Sequence, residues 1–288
     1  MILSAINWGP APEIFKIDAF ELFGLTIGPL EVRWYGLLFA TGFLVGQAIF
    51  VKIFRAEGKP EKDIEALTLY MVLSTIIGAR LGHCLFYDPD YYLSNPLEIL
   101  QIWKGGLASH GAAFGIILSL WYYCRSRPDQ PFLWLADRMV IVACLGGAFI
   151  RLGNLMNSEI VGVYTDVPWG FVFERLGEDQ ARHPAQLYES ISCLILFFIL
   201  YGLYNKWKEK TPRGRLFGIF LVGLWGLRFL YEFIKKEQVT AETDMSLFIG
   251  QYLSIPLVLL GFYILYRSYT HPNVPDTETV KPRSKGKK

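Results

Sequence analysis

The sequence predicts an all-α polytopic membrane protein with seven transmembrane helices, and three features of the chain support that fold class. Of its 288 residues, 52% are hydrophobic, slightly above the roughly 45–50% of an average soluble domain. The apolar residues are gathered into segments of about 18 or more, long enough to cross a hydrocarbon layer of about 30 Å. Lys and Arg are concentrated in alternate connections between these segments. The predicted spans are 33–54, 65–87, 106–124, 133–150, 185–205, 214–235 and 247–267.

The distribution of basic residues predicts the orientation of the chain. Lys and Arg favour cytoplasmic connections, and here they cluster after the first, third, fifth and seventh spans, at 52–62, 125–138, 206–215 and 267–288. An odd number of spans then places the N-terminus outside and the C-terminus in the cytoplasm. The net charge of +2 conceals this asymmetry.

The chain is expected to form a single integral membrane domain over residues 1–271, followed by a basic, disordered cytoplasmic tail at 272–288. Two outer-face loops, at about 88–104 and 151–184, would build a small head. The segment 13–36 mixes apolar and acidic residues and is expected to lie in the outer interface. The first apolar segment starts late and lacks a small-residue cleavage site, so no removable signal peptide is expected.

The sequence predicts no metal site and no cofactor. Cys84, Cys124, Cys144 and Cys193 all fall in apolar spans without CxxC spacing, which favours small packing residues. No His, Cys and carboxylate residues recur at ligand spacing. The basic tail favours anionic membrane lipid, so lipid rather than nucleic acid is the expected partner.

Polar residues of five spans are predicted to lie at one depth, just inside the outer headgroup layer. Arg80, Arg151 and Arg228 come near the outer ends of spans two, four and six, while Tyr35 and His110 stand at the outer entrances of spans one and three. A charged side chain in hydrocarbon costs about 2.5–3.5 kcal/mol on insertion scales and usually has a partner or lies on a substrate path. The arginines outnumber the acids predicted nearby, which favours an anionic ligand. At this depth that ligand is phosphate, which Arg binds through a planar, bidentate fork.

Each of these residues alone also has a structural interpretation. Arg228 and Glu232 are four residues apart and could neutralise each other, and Arg80 could extend to the interface. His110 lies in GGLASHGAAFG, whose small residues predict close helix packing. It could be a hydrogen-bonded structural group or a neutral general base.

The stretch RLGNLMNSEIVG follows the fourth span and combines Arg151, Asn154, Asn157, Glu159 and Gly162. Arg151 and Asn154 would share a helix face if the helix continued. Asn and Gly commonly end helices, so capping could explain one asparagine. It does not explain both together with an arginine and a glutamate.

Six motifs resemble those of the bacterial prolipoprotein diacylglyceryl transferase family. They occur in the order found in that family and extend from the first predicted span to the last. They are RWYG at 33–36, GG with HG at 105–111, RLGN-x-x-N-x-E-x-x-G at 151–162, RHPAQLYE at 182–189, LRFLYEF at 227–233 and GQYLSIP at 250–256.

The resemblance implies an enzyme of the bacterial inner membrane with seven spans and an active site facing the outer leaflet. It would transfer the sn-1,2-diacylglyceryl group of phosphatidylglycerol to the lipobox cysteine of a preprolipoprotein, forming a thioether and releasing glycerol 1-phosphate. This is the first step of lipoprotein maturation. The implied catalytic residues are His110, Tyr35, Arg151 and Arg228. With the charge argument above, the candidates for binding phosphatidylglycerol are Arg151, Arg228, Asn154, Asn157, Glu159, Gly162, Arg80 and Glu232.

The chain departs from the family pattern at several positions. Ile150 stands where the family usually has glycine, Leu155 where it has an aromatic residue, and Ser158 where glycine is frequent. After EF in the sixth span, Lys235 and Lys236 replace an arginine, which keeps the charge but loses the bidentate geometry.

Two other classes of function fit the sequence less well. A phospholipid-binding transporter or other lipid-handling protein would carry ionisable groups towards the midplane on paired broken helices, whereas here they gather at one face. An intramembrane protease needs a Ser/His or Asp/Asp pair within the spans, and Ser74, Ser119 and Ser192 have no histidine near them in depth. Within the transferase interpretation, the general base stays open between His110, Glu159 and water.

Overall fold

The structure is a computed structural model of the chain, and it describes most of the residues. The predicted disordered tail, 272–288, lies outside the described residues except for residue 272. The described residues are 5–18, 20–22, 25–27, 30–102, 105–236 and 247–272.

Helices dominate the described residues, and the predicted class of multi-pass α-helical membrane protein is confirmed. Among the described residues, six helices are long and apolar enough to cross a membrane: Trp34–Ala56, Glu61–Phe86, Phe132–Met156, Ala185–Lys210, Arg215–Ile234 and Ile249–Thr270. The third predicted span is occupied by α4, which has 17 residues. The number of seven crossings and the orientation stay predictions. The helices are α1 (Trp34–Ala56), α2 (Glu61–Phe86), α3 (Pro89–Ser94), α4 (Ser109–Arg125), α5 (Phe132–Met156), α6 (Ala185–Trp207), α7 (Arg215–Tyr231) and α8 (Ile249–Thr270).

Short strands accompany the helices, and the sequence analysis did not predict them. The segment expected in the outer interface forms antiparallel pairs, β2 with β5 and β3 with β4, while β1 pairs in parallel with β6. The local signal for a strand in EIFKI is its content of isoleucine and phenylalanine, which are enriched in strands. The strands are β1 (Ile6–Trp8), β2 (Glu13–Ile17), β3 (Phe20–Leu22), β4 (Leu25–Ile27), β5 (Leu30–Arg33) and β6 (Phe171–Phe173).

Contacts divide the chain into two compact units. The larger unit comprises residues 1–49 and 137–288, and the smaller unit comprises residues 50–136.

In the smaller unit, α2 and α4 approach each other so closely that only glycine fits between them. A Cβ atom on Gly78 would lie 2.5 Å from the carbonyl oxygen of Gly111, and one on Gly82 would lie 2.6 Å from the Gly111 Cα. Real Cβ atoms do not come this near to backbone. The close helix packing predicted from GGLASHGAAFG is confirmed.

In the larger unit, a small hydrophobic core joins the N-terminal strand to the end of α5. Leu155, Val161, Phe171 and Phe173 form a buried cluster, and Trp8 on β1 packs against it. The parallel register sets β1 directly beside β6. The chain before the first helix therefore supports the loop that follows α5.

Candidate active site

The loop after α5 has an unusual backbone conformation. Ser158 and Ile160 both lie in the left-handed region, with φ of 56° and 57°. Residues held in such regions cost about 1–3 kcal/mol each, and a β-branched side chain fits there worst. Strain of this kind persists where the surrounding structure over-determines the backbone. The contacts that hold this loop in its strained conformation are therefore part of the candidate active site.

Side chains from three separate segments hold the loop by its carbonyl groups. One comes from β1, one follows β6, and one lies in the first turn of α6. The pairs are Trp8 Nε1 to Leu155 O at 2.9 Å, Arg175 Nη1 to Asn157 O at 3.2 Å and Gln186 Nε2 to Glu159 O at 2.5 Å.

The polar side chains of RLGNLMNSE bind one another rather than capping α5. Asn154 donates from Nδ2 to one carboxylate oxygen of Glu159 at 3.1 Å, and Asn157 donates to the other at 3.2 Å. Arg151 donates from Nη1 to Asn154 Oδ1 at 3.2 Å. The four residues form one hydrogen-bonded row from the buried end of α5 to the exposed Glu159 carboxylate.

A chain of ion pairs links α5, α6 and the end of α7. Arg151 Nε pairs with Glu189, and Lys235 Nζ lies 2.5 Å from Glu189 Oε1 and 3.1 Å from Glu232 Oε1. Arg228 Nη2 lies 3.8 Å from the same Glu232 oxygen. The mutual neutralisation of Arg228 and Glu232 considered from the sequence is therefore only partial, since the lysine lies closer.

Burial differs sharply along this chain. The side chains of Lys235, Glu189 and Glu232 are 2%, 8% and 8% exposed, whereas those of Arg151 and Arg228 are 19% and 33% exposed. Among the described residues, this chain of ion pairs joins three cations to two carboxylates, which leaves one positive charge in excess. Arg228 Nε is buried without a hydrogen-bond partner among the described residues. The excess charge is therefore carried at the accessible ends of the chain, on guanidinium groups with donors to spare.

Tyr35, at the start of α1, lies against the same end of α5. A Cβ atom on Gly153 would be 2.7 Å from Tyr35 Cδ2 and 3.1 Å from its Cα, so glycine is required for this contact. Tyr35 therefore lies beside the end of α5 that carries Arg151, within the larger unit.

Gly162 joins the signature loop to two other segments. Its N–H donates to the carbonyl of His183 at 2.9 Å, and Arg182 donates to its carbonyl at 3.1 Å. A Cβ atom here would lie 2.6 Å from the His183 oxygen and 2.8 Å from the Ile234 oxygen. Any larger residue at position 162 would push apart the two segments that lead to Glu189 and Lys235.

Outside the membrane-spanning helices, burial and pairing shift two pKa values beside Gly162. Hydrogen bonds from Arg182 hold the pKa of Glu178 below its ordinary value of 4.5. Burial lowers the pKa of His183 from 6.5. The Nδ1 atom of His183 lies 3.1 Å from the Tyr188 hydroxyl, which accepts a hydrogen bond from Trp169 Nε1.

His110 and Arg80 belong to the smaller unit. His110 is the second residue of α4 and its side chain is exposed. Arg80 is 3% exposed on α2, with its guanidinium on backbone carbonyls. The other predicted site residues, from Tyr35 to Glu232, all lie in the larger unit.

Glu189 and Lys235 are the site residues that the sequence analysis left out. Each had a visible signal: a glutamate within an apolar span in RHPAQLYE, and a lysine where the resembling family has arginine. Among the described residues no group of three or more His, Cys, Asp or Glu side chains is arranged to hold a metal ion. The expectation that no metal or cofactor is needed stays a prediction.

Comparison with known proteins identifies one family. A family model described as prolipoprotein diacylglyceryl transferase matches residues 23–267. The chain is 45% identical over 274 residues to a protein of Chloroherpeton thalassium, covering 95% of this chain and 98% of that relative. It is 47% identical over 244 residues to a protein of Tolumonas auensis, covering 85% and 94%. It is 44% identical over 277 residues to one of Bacteroides fragilis, covering 92% and 96%. All three relatives are named phosphatidylglycerol–prolipoprotein diacylglyceryl transferase.

Proposed function

Because the chain belongs to the prolipoprotein diacylglyceryl transferase family, we propose that it transfers the diacylglyceryl group of phosphatidylglycerol to the cysteine thiol of a prolipoprotein. The names of its relatives support both substrates. Within the site, one observation carries the proposal: the accessible, under-paired guanidinium of Arg228 at one end of the ion-pair chain, with Arg151 at the other.

The two arginines bind the lipid phosphate and stabilise it as it leaves. Their buried partners, Glu189 and Glu232, are already shared with Lys235, so a phosphate meets positive charge that the protein has not fully neutralised. Cleavage of the bond between the glyceryl carbon and the phosphate oxygen puts negative charge on the leaving glycerol 1-phosphate. Fixed cations in a water-poor site stabilise that charge in the transition state.

The attacking group is the prolipoprotein thiolate, since a thiol is a weak nucleophile until it loses its proton. The sulfur forms a bond to the glyceryl carbon as the phosphate oxygen departs, and the thiol proton passes to a general base. Both carboxylate oxygens of Glu159 already accept amide hydrogen bonds, whereas the His110 ring is exposed at the start of α4. We therefore assign the role of general base to His110. We assign to Tyr35 a contact with the reacting lipid beside Arg151.

The enzyme resides in the bacterial inner membrane and crosses it seven times, and its active site faces the outer leaflet. Clustering of basic residues after alternate spans supports the N-terminus outside and the C-terminus inside. Single cysteines placed at position 166 and at position 209, in a chain whose own cysteines are changed to alanine, test this. A membrane-impermeant maleimide applied to intact spheroplasts should label position 166 alone.

Purified enzyme, phosphatidylglycerol and a lipobox peptide test the activity and the arginine assignment together. Mass spectrometry should detect a diacylglyceryl thioether on the peptide. Arg151→Ala and Arg228→Ala should each lower kcat/KM by about 10²–10³-fold, the loss expected for one fixed donor to developing charge. Arg55→Ala is the matched control, because Arg55 makes only an exposed pair with Glu61. Lipid flux in proteoliposomes without the covalent product would instead indicate a lipid transporter.

A further inference from the structure

Arg80 is bound quite differently from Arg151 and Arg228. It lies on α2 in the smaller unit, and its guanidinium donates to backbone carbonyls of the segment that leads to α4. The hydrogen bonds are Nε to Ile99 O at 2.9 Å, Nη1 to Gly105 O at 2.7 Å and to Gly106 O at 3.3 Å, and Nη2 to Glu98 O at 2.6 Å.

These contacts consume almost the whole hydrogen-bonding capacity of the side chain. A guanidinium has five N–H donors, and the four bonds above leave one. One face of the group lies over the Tyr92 ring, 4.9 Å from its centroid, and the residue is buried. Little of Arg80 is available to a lipid phosphate, although the depth of the residue suggested that role.

The segment that Arg80 holds ends at the helix that carries His110. Gly105 and Gly106 adopt φ of 85° and 71°, and a Cβ atom on Gly106 would lie 2.9 Å from Arg80 Nη1. Two residues later, the N–H of Ala108 donates to the carbonyl of Ala79, the neighbour of Arg80. Arg80 and Ala79 thus fix the last turn before α4 begins.

The other contact of this helix start is the glycine packing with α2. Gly111 meets Gly78 and Gly82 without room for a Cβ atom. His110 lies directly before Gly111, so its backbone is held on one side by the glycine contact and on the other by the Arg80 hydrogen bonds.

We propose that Arg80 is a positioning residue: it binds the carbonyls of residues 98, 99, 105 and 106 and thereby sets the place of His110. This inference rests on the proposed role of His110 as the base. It assigns Arg80 an effect on the rate of the chemical step and none on the affinity for phosphatidylglycerol.

The test compares Arg80→Lys, Arg80→Ala and His110→Gln in the full-length enzyme, with Arg125→Lys as control. Arg125 lies at the far end of α4, over the Trp121 ring. Lysine keeps the charge of Arg80 but cannot reach four carbonyls. Misplacement of a catalytic group by about 1 Å can cost roughly 100-fold. We expect kcat to fall about 10-fold to 100-fold in Arg80→Lys, with KM for phosphatidylglycerol changed less than about two-fold.

Hydrogen–deuterium exchange supplies a readout independent of activity. In Arg80→Lys the amides of residues 98–112 should exchange faster, while those of α7 and α8 keep the wild-type rate. Unchanged exchange at 98–112 would overturn the proposal whatever the role of His110. A raised KM with normal kcat would also overturn it, because it would return Arg80 to the lipid site.

The double variant separates failure of this inference from failure of the proposed base. If Arg80 acts through His110, adding Arg80→Lys to His110→Gln should cause no further loss of the residual kcat, since two residues acting on one step are not additive. Multiplied losses would contradict the positioning role and leave the base intact. Near-normal kcat in His110→Gln alone would remove the base assignment itself.

Discussion

The arginines predicted at one depth are bound in opposite ways in the two units of this protein. In the larger unit Arg151 and Arg228 pair with carboxylates that they share with Lys235, and they keep exposed surface and unused donors. In the smaller unit Arg80 is buried and four of its five donors are taken by carbonyl groups. The first arrangement can accept an anion, and the second can only hold the chain in place.

This comparison shows that the depth of a charged residue in a membrane does not fix its function. All three arginines are predicted at the same level, and the sequence gives each a similar apolar setting. The three arginines differ in the kind of group that accepts their hydrogen bonds or ion pairs. A carboxylate can be shared with other cations, so an arginine paired with it keeps positive charge for a ligand. A buried guanidinium bound to carbonyl groups keeps almost no donor that a ligand could reach.

The largest expected effect concerns Lys235, the buried centre of the ion-pair chain. Lys235→Met should lower the free energy of unfolding by about 3–5 kcal/mol, because removal of one partner leaves buried charge uncompensated. Glu189 and Glu232 would then pair with Arg151 and Arg228 alone and neutralise more of their positive charge. Transferase activity should therefore also fall. Unfolding of the detergent-solubilised variant measures the first effect, and the peptide assay measures the second.

Lys236→Met is the matched control for that change. Its side chain is 56% exposed and lies 3.8 Å from Glu178, and exposed pairs contribute about 0–1 kcal/mol. Equal losses in the two variants would show that the Lys235 pairs add nothing beyond an exposed ion pair. Lys235 would then not compete with Arg151 and Arg228 for the buried carboxylates.

A second change tests whether the smaller unit is as rigid as the Arg80 contacts imply. Gly111→Ala should destabilise the protein by about 1–3 kcal/mol, the usual cost of overpacking, since its Cβ atom would meet the backbone of Gly78 and Gly82. Gly202→Ala, where nothing lies within 4 Å of the added atom, should be neutral or slightly stabilising. Thermal unfolding of both variants in the same detergent measures the difference. A neutral Gly111→Ala would mean that α2 and α4 can separate without cost.

The positions of the helices could be predicted from the sequence because hydropathy is a local property. The first and fourth predicted spans, 33–54 and 133–150, correspond to α1 at Trp34–Ala56 and α5 at Phe132–Met156. The strands could not be predicted in the same way. β1 and β6 are each three residues long and pair across more than half of the chain, so neither carries a pattern long enough to recognise.

The composition of the site was predictable only in part, for a related reason. Arg151, Asn154 and Glu159 lie within nine residues of one another, so their proximity follows from the local chain. The pairing of Lys235 with Glu189 joins residues in different segments and depends on tertiary structure. The role of Arg80 could not be read at all, because its acceptors are backbone carbonyls, which every residue possesses.

The smallest expected effect is a dependence of stability on pH in the segment that precedes α6 in the larger unit. Burial lowers the pKa of His183 below 6.5, so folding favours its neutral form. The stabilisation is complete above pH 6.5 and is lost as the pH falls below that value towards the lowered pKa. The Tyr188 hydroxyl, which accepts from Trp169, can donate to Nδ1 only while that atom is unprotonated. Glu178, whose pKa is also lowered, adds a loss in the same direction only below about pH 4.5.

Thermal unfolding between pH 7.5 and 5.5 isolates the histidine, because Glu178 stays ionised throughout that range. The wild-type midpoint should decrease over this range, and His183→Asn, which cannot titrate, should show a flatter profile. His271→Asn is the matched control, since His271 is exposed at the end of α8, and it should keep the wild-type slope. If all three profiles coincide, protonation of His183 does not disturb the segment that joins Gly162 to α6. That segment also delivers Glu189 to the ion-pair chain, so the result bears directly on how firmly the two arginines are held.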